Sequence, residues 1–233
     1  MSPPTTSNVF VGRRTVLARL EKGYRTQCHL LLHGAAGTGK SRLIAEFART
    51  HPLLYVPRCN CLGELLAALE PPAGLDRGEL TLAARVHRLA ARLPPIGRPI
   101  VVDHVGRVPS RVAHLLRVLM LRQPVWLLVR SLHPLDLGHV WPYLYLFERI
   151  DLPPFSPDET RAYLRTAPID GSRSALLAFT LRLHRLSAGR PGTLSALVAE
   201  SGRRHYDLHT AAGRRRLVLH VRISAVQAQM ATG

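Results

Sequence analysis

The sequence predicts an α/β fold in which a parallel β-sheet is covered by helices on both faces. Two observations lead to this prediction. Short apolar runs alternate with segments of helical apolar spacing over residues 12–152. A glycine-rich loop, GAAGTGKS, connects the first apolar run directly to a helical segment. Strands that alternate with helices pair in parallel through right-handed crossovers, which give three layers.

Five short apolar runs are predicted to be strands. Each is rich in Leu, Ile or Val, and most are bounded by glycine or proline, which is typical of a buried strand in a parallel sheet. They lie at residues 27–33, 53–56, 99–103, 124–130 and 149–152. The last of them stands just before Pro153 and Pro154.

The segments between these runs have the apolar spacing of helices. The predicted helices cover residues 12–24, 42–50, 62–69, 79–93 and 110–122. After residue 153 the chain becomes helical. Ser156 and Glu159 form a capping-box pattern, and two helices follow at 174–187 and 193–201. The alternation of Leu217, Leu219, Val221 and Ile223 predicts a strand near the end of the chain.

These elements divide the chain into four parts. We expect a flexible tail at residues 1–8, an α/β domain at 9–153, a small helical lid at 154–202 and a basic extension at 203–233. The boundary at 153 is where strands cease and helices continue. The boundary at 203 is where the arginine content rises.

The loop after the first strand fits the pattern G-x-x-x-x-G-K-[ST] in full. Its glycines allow backbone N–H groups to turn inward around a β-phosphate. Lys40 would reach the β- and γ-phosphates, and the Ser41 hydroxyl would bind Mg²⁺. The pattern therefore predicts a nucleoside triphosphate site, most simply for ATP. Its residues are Gly34, Ala35, Ala36, Gly37, Thr38, Gly39, Lys40 and Ser41.

Two further strand ends carry candidate catalytic groups. Asp103 ends the run IVVD, where ligands bind in parallel sheets, and it would hold Mg²⁺ through water. His104 follows it and is a candidate base. Arg130 and Ser131 end the fourth strand, beside the expected γ-phosphate position, and a cationic or polar group there would stabilise charge.

A series of motifs resembles the AAA+/STAND group of P-loop ATPases. The motifs occur in the order NVFVGR at 8–13, GAAGTGKS at 34–41, VVDH at 101–104, LLVRS at 127–131, ERIDLPPFS at 148–156 and SAGRP at 187–191. Within that group the chain is similar to small bacterial members, such as transposition-helper ATPases of the MuB/TniB kind. The resemblance covers about residues 8–200.

The resemblance implies a P-loop NTPase sheet of strand order 5-1-4-3-2, followed by the lid, and assembly into oligomers. It also assigns further residues. Val11, Gly12 and Arg13 would lie near the adenine, and Gly189, Arg190 and Pro191 of the lid would close on the nucleotide. Arg130 or Ser131 would be the polar sensor on the fourth strand. Arg149 is a candidate arginine finger for a neighbouring subunit.

One position departs from the family pattern. Many such ATPases carry glutamate after the strand-three aspartate, where this chain has His104. The difference leaves nucleotide binding intact and puts fast hydrolysis in question.

The net charge of +17 favours polyanionic partners, with nucleic acid first. Thirty of the 32 basic residues are arginine, a bias that a GC-rich genome also produces. After Glu200 the only acidic residue is Asp207. The arginines of this stretch predict sequence-independent DNA contact, against the alternative of a solvated or partner-docking segment. The candidate contacts are Arg203, Arg204, Arg214, Arg215 and Arg216.

Two functions remain open at this point. One is an ATPase that assembles on DNA, as in transposition. The other is a STAND-like switch with little hydrolysis, in signalling or defence. A small-molecule kinase fits less well, because no arginine-rich kinase lid follows the sheet. No apolar run approaches the ~20 residues of a membrane-spanning helix, and the first residues lack signal-peptide features, so we expect a cytoplasmic protein.

Overall fold

The computed structural model describes residues 12–76, 80–92, 97–166, 177–203, 206–207 and 210–230. These residues divide into two compact units. The first contains Arg13–Ala35 and Lys40–Leu152. The second contains Gly12, Ala36–Gly39 and the described residues from Pro153 onward.

The first unit is built on a five-stranded sheet. Its strands are β1 (Leu30–His33), β2 (Leu54–Val56), β3 (Ile100–Val105), β4 (Val125–Val129) and β5 (Glu148–Asp151). They pair in the order β2-β3-β4-β1-β5, and every pairing is parallel. The α/β class and the predicted order 5-1-4-3-2 are therefore confirmed, since the two orders are one sequence of strands counted from opposite edges.

Helices connect these strands. They are α1 (Arg14–Arg25), α2 (Lys40–Phe47), α3 (Leu62–Leu69), α4 (Leu82–Arg92), α5 (Ser110–Met120) and the short α6 (Pro134–Leu137), with 3₁₀ turns at Pro71–Ala73 and Trp141–Leu146. The predicted positions hold to within a few residues. Helix α2 begins two residues before its predicted start, because Lys40 and Ser41 of the loop form its first turn.

The centre of the sheet is fully buried. All five residues of β4 are buried, as are the first three of β1 and the first four of β3. Trp126 of β4 packs near Phe47 of α2, and its indole N–H donates to the Cys28 carbonyl at 3.2 Å. Strands buried on both faces leave only their ends for polar groups, so the chemistry of this unit lies at those ends.

Strand β3 contains an irregularity at its functional end. It continues past Asp103 to Val105, and its register against β4 shifts between Val102 and Val105. His104 has φ +52°, in the left-handed region that non-glycine residues seldom adopt. This geometry is that of a β-bulge, which redirects side chains locally. As a result the Asp103 side chain is 2% exposed and the adjacent His104 side chain is 48% exposed.

The second unit is helical in its described part. It contains α7 (Pro157–Thr166), α8 (Thr180–Ser187), α9 (Pro191–Arg203) and α10 (Ala211–Met230). The predicted capping box is present at the start of α7: the Glu159 N–H donates to Ser156 Oγ at 3.1 Å, and the Ser156 N–H donates to Glu159 Oε2 at 2.8 Å. The core of this unit is formed by Phe155, Tyr163, Leu164, Phe179, Leu183, Leu194 and Val198.

The strand predicted over residues 217–223 is wrong, because these residues lie within α10. In a helix, residues two apart point in different directions. Leu217 is buried, whereas Leu219 and Ile223 are exposed. The apolar residues at 219, 223 and 226 also fit the spacing of a helix. The segment therefore matches both the two-residue period of a strand and the 3.6-residue period of a helix, and the pattern alone does not distinguish them.

The buried sheet centre generates a stability prediction. Leu127→Ala removes a fully buried side chain of β4, and we expect it to lower the free energy of unfolding by about 2–5 kcal/mol. Leu121→Ala is the matched control, because Leu121 is 81% exposed and its loss should change stability by less than about 0.5 kcal/mol. Urea unfolding followed by circular dichroism measures both. Equal effects of the two substitutions would contradict the assignment of the core.

Candidate functional site

The glycine-rich loop has the backbone shape that its sequence requires. Gly37 has φ +79° and Gly39 has φ +92°, conformations that glycine adopts without a steric penalty. The loop is anchored at its start, where the Gly34 N–H donates to the Val129 carbonyl at the end of β4 at 3.2 Å. Thr38 is buried, whereas Ala35, Ala36 and Gly37 are exposed.

Lys40 is buried beneath the first residues of this loop. Its side chain is held by two loop carbonyls, those of Gly34 at 2.5 Å and Ala35 at 3.1 Å. Burial lowers the pKa of Lys40, nearby Arg130 lowers it further, and Asp103 acts in the opposite direction. Two cations thus lie beside one carboxylate. This excess of positive charge fits a polyphosphate anion.

Asp103 is a buried carboxylate whose two oxygens both accept hydrogen bonds. Oδ2 accepts from the Tyr55 hydroxyl at 2.7 Å. Oδ1 accepts from the His104 backbone N–H at 2.7 Å, and His104 Nδ1 lies 3.3 Å from the same oxygen. The carboxylate is therefore held in one orientation at the end of β3, as a magnesium ligand must be.

Tyr55 is a site residue that the sequence analysis missed. It is the middle residue of β2, and its hydroxyl donates to the Asp103 carboxylate, while Ser41 lies close enough to act on the pKa of the phenol. Burial raises the pKa of Tyr55, and the neighbouring Asp103 raises it further. Tyrosine is a common strand residue, so nothing in its position along β2 singled it out. Only the pairing of β2 with β3 brings it to Asp103.

Ser41 and Asp103 supply the oxygen donors that Mg²⁺ prefers. Asp103 accepts the Tyr55 proton, and Ser41 lies close enough to the same phenol to act on its pKa, so the two side chains are near one another in the first unit. The residues present therefore fit the predicted magnesium site.

The end of β4 separates the two candidate sensor residues. Arg130 is exposed and lies close enough to Lys40 to lower the pKa of its ammonium group. Ser131 Oγ instead accepts a hydrogen bond from the His133 N–H at 3.1 Å. Arg130 is thus the residue that faces the charged loop, and Ser131 stabilises the following turn.

In the second unit, the GxP segment contacts the glycine-rich loop. The N–H of Gly192, in the first turn of α9, donates to the Gly37 carbonyl at 3.1 Å. A Cβ placed on Gly37 would lie 3.7 Å from the Arg190 Cβ, and one on Gly39 would lie 3.9 Å from Pro191 Cγ. Arg190 and Pro191 therefore border the loop.

Gly189 is required by its surroundings. It has φ +64°, and a Cβ there would lie 2.4 Å from the Phe155 carbonyl oxygen. The Phe155 N–H donates to the Gly189 carbonyl at 2.6 Å. This close backbone contact fixes the segment before α9.

The remaining predicted residues are placed as follows. Val11 and Arg204 lie outside the described residues, and the side chains of Arg203 and Arg214 are likewise outside what the structure describes. Gly12 has φ +75° and lies against Glu159, whereas Arg13 is buried at the start of α1. Arg215 and Arg216 are exposed on α10.

Arg149, the candidate finger, forms an ion pair within its own chain. Its Nε and Nη2 donate to Asp151 Oδ1 at 2.9 and 2.8 Å. Asp151 also accepts from His33, at 2.7 Å, and this contact is the main reason that the pKa of Asp151 is lowered. The role of Arg149 towards a second subunit remains a prediction.

Solved structures share this fold. A Walker-type ATPase of Pyrococcus abyssi superposes with a TM-score of 0.63 at 16% identity, over 100% of this chain and 78% of the other. The Orc1 protein of Aeropyrum pernix, solved in complex with DNA, gives 0.60 at 18% identity, over 94% of this chain and 66% of Orc1. A STAND protein of Pyrococcus horikoshii with a tetratricopeptide-repeat sensor gives 0.54 at 19% identity, over 86% of this chain and 31% of that protein.

These similarities establish the α/β fold as that of P-loop NTPases. No protein-family model matches the sequence, and no curated protein matches it. The chain spans just under two thirds of Orc1 and about a third of the STAND protein. Among the described residues, no helix combines the length and apolarity needed to cross a membrane.

Proposed function

We propose that this chain is an ATP-binding protein of the AAA+ type, in which residues 34–41 bind the phosphates with Mg²⁺. The observation that carries the proposal is the buried Lys40 side chain, held by the carbonyls of Gly34 and Ala35 beside Arg130 and Asp103. For the stability of the fold alone, an apolar residue would fill this buried position better than a lysine that lies next to a second cation. An incoming polyphosphate gives both cations a partner.

Each group of the first unit has a distinct role in this proposal. Lys40 and Arg130 bind the β- and γ-phosphate oxygens, and inward backbone N–H groups of the loop bind the β-phosphate. Ser41 and Asp103 hold Mg²⁺, the latter through water. When bound, the ion neutralises charge on the β- and γ-phosphates. We propose that the rest of the nucleotide is contacted by Gly12, Arg13, Arg190 and Pro191. The choice of ATP over GTP comes from the family resemblance.

We propose that hydrolysis is slow. The exposed His104 occupies the position where the family pattern has glutamate. Its Nδ1 lies 3.3 Å from Asp103 Oδ1. With a proton on Nδ1, the imidazole would keep Nε2 as an acceptor that can orient a water. The imidazole offers a water one acceptor nitrogen, whereas the glutamate that the family resemblance implies at this position offers two acceptor oxygens and a negative charge, so turnover is limited at this residue.

The biological output proposed here is nucleotide-dependent assembly on DNA or on a protein partner, as in a transposition-type DNA transaction. The net charge of +17 and the exposed Arg215 and Arg216 on α10 support DNA. One neighbour was solved in complex with DNA. The alternative is a STAND-like switch in signalling or defence, favoured by the similarity to the P. horikoshii STAND protein and by the His104 substitution.

The first prediction concerns nucleotide binding, for which the chain provides its own control. It has only two lysines, Lys40 in the loop and the exposed Lys22 on α1. Lys40→Ala should weaken ATP binding at least about a hundredfold, because two or more charge-assisted hydrogen bonds are lost. Lys22→Ala should leave it unchanged. Isothermal titration with ATP and Mg²⁺ measures both, and tight binding by Lys40→Ala would refute the site.

The second prediction concerns turnover. His104→Glu should raise steady-state phosphate release by about tenfold or more, because two acceptor oxygens of a carboxylate replace one ring nitrogen in orienting the water, while ATP affinity changes little. His114→Glu, on the exposed face of α5, is the control and should leave turnover unchanged. Phosphate release is measured with and without duplex DNA. An unchanged rate in a His104→Glu protein that still binds ATP would show that the limit lies elsewhere.

The third prediction concerns DNA. The double variant Arg215→Ala/Arg216→Ala should weaken duplex binding and reduce the slope of log affinity against log salt by about 2, one for each lost phosphate contact. The control variant, Arg111→Ala/Arg122→Ala, removes the same charge from exposed positions at α5. Fluorescence anisotropy over a salt series measures the slope. Absence of DNA binding by the unmodified chain at low salt would leave the switch as the better function.

A further inference from the structure

We propose that Tyr55 is a positioning residue of the magnesium site, which orients the Asp103 carboxylate for the ion. This inference rests on the proposed function, because it concerns the same nucleotide site. It assigns a role to a side chain on β2, a strand that contributes no residue to the motifs of the sequence. The hydroxyl of Tyr55 donates a hydrogen bond to Asp103 Oδ2 at 2.7 Å.

The direction of this hydrogen bond follows from counting protons. An ionised carboxylate can only accept, and the Tyr55 hydroxyl has one proton, which it donates to Asp103 Oδ2 at 2.7 Å. The phenol therefore holds one oxygen of the carboxylate in a fixed direction.

Tyr55 also fixes the carboxylate. Asp103 Oδ1 is already held by the His104 N–H at 2.7 Å, and Tyr55 holds Oδ2. Strand pairing keeps the phenol in place, since Tyr55 is aligned with Val101 of β3, two residues before Asp103. The phenol also lines a groove at the outer edge of β2, so its ring can be altered without opening the sheet centre. Removing the hydroxyl leaves a buried carboxylate oxygen short of a donor.

A competing role has the opposite sign. If the Tyr55 hydroxyl only filled the space of the ion and competed with it for Asp103, its removal would make Mg²⁺ bind more tightly. If it orients the Asp103 carboxylate, its removal makes Mg²⁺ bind more weakly. The direction of the change therefore decides between orientation and competition.

The experiment compares Tyr55→Phe with Tyr145→Phe, in which the altered ring is 82% exposed. The affinity for a fluorescent ATP analogue is measured in excess EDTA and then over a Mg²⁺ series. We expect Tyr55→Phe to keep its affinity in EDTA within about twofold and to need about tenfold more Mg²⁺ at the midpoint, since a hydrogen bond to a charged group is lost. Tyr145→Phe should match the unmodified chain in both measurements.

Three results would overturn the inference. An unchanged Mg²⁺ midpoint would remove any role for the hydroxyl, and a lower midpoint would establish competition. Equal weakening in EDTA and in Mg²⁺ would indicate a general structural effect. Failure of the proposed function is distinct, because the unmodified chain would then bind no nucleotide analogue in either condition, and the role of Tyr55 would fall with it.

Discussion

The buried charge of Asp103 is the constraint on which the site depends. A carboxylate that is 2% exposed is costly unless hydrogen bonds and opposite charge compensate it. The strand order provides that compensation. Because β2, β3, β4 and β1 are consecutive neighbours, Tyr55, Asp103, Arg130 and the loop after β1 come from one row of strands. The sheet thus assembles, from four distant parts of the sequence, the donors and cations that one carboxylate needs.

The bulge in β3 gives Asp103 and His104 different exposure to solvent. In a regular strand, Asp103 and His104 would point to opposite faces, and the next layers would bury both. The left-handed conformation of His104 instead leaves its ring exposed and turns its N–H back onto the Asp103 carboxylate. A non-glycine residue in this conformation stores of order 1 kcal/mol of strain, which is typical of functional positions. The hydrogen bond to Asp103 offsets part of it.

The sequence was sufficient for the fold, and it placed the glycine-rich loop between β1 and α2, where the structure has it. Apolar runs and glycine or proline boundaries predicted five strands, and the motif series predicted their order. Tyr55 was not accessible in this way, because its role depends on the pairing of β2 with β3 and not on any neighbour in sequence. The strand predicted at 217–223 was wrong for a related reason: the apolar pattern of α10 satisfies two periods, and only its packing distinguishes them. Val11 and Arg204 lie outside the described residues, so their predicted roles stand as predictions.

The two candidate functions differ in one requirement. Within the second unit, the Gly37 carbonyl accepts the Gly192 N–H in the first turn of α9. An N–H at a helix start is one of the groups that an anion or a carbonyl must satisfy, so under the proposed function a rearrangement of Gly37 around a phosphate would change the partner of α9. Binding alone would be enough for this change. Hydrolysis would be needed only to reverse it, and under the proposal that step depends on His104. The proposed function therefore requires nucleotide occupancy first and turnover second.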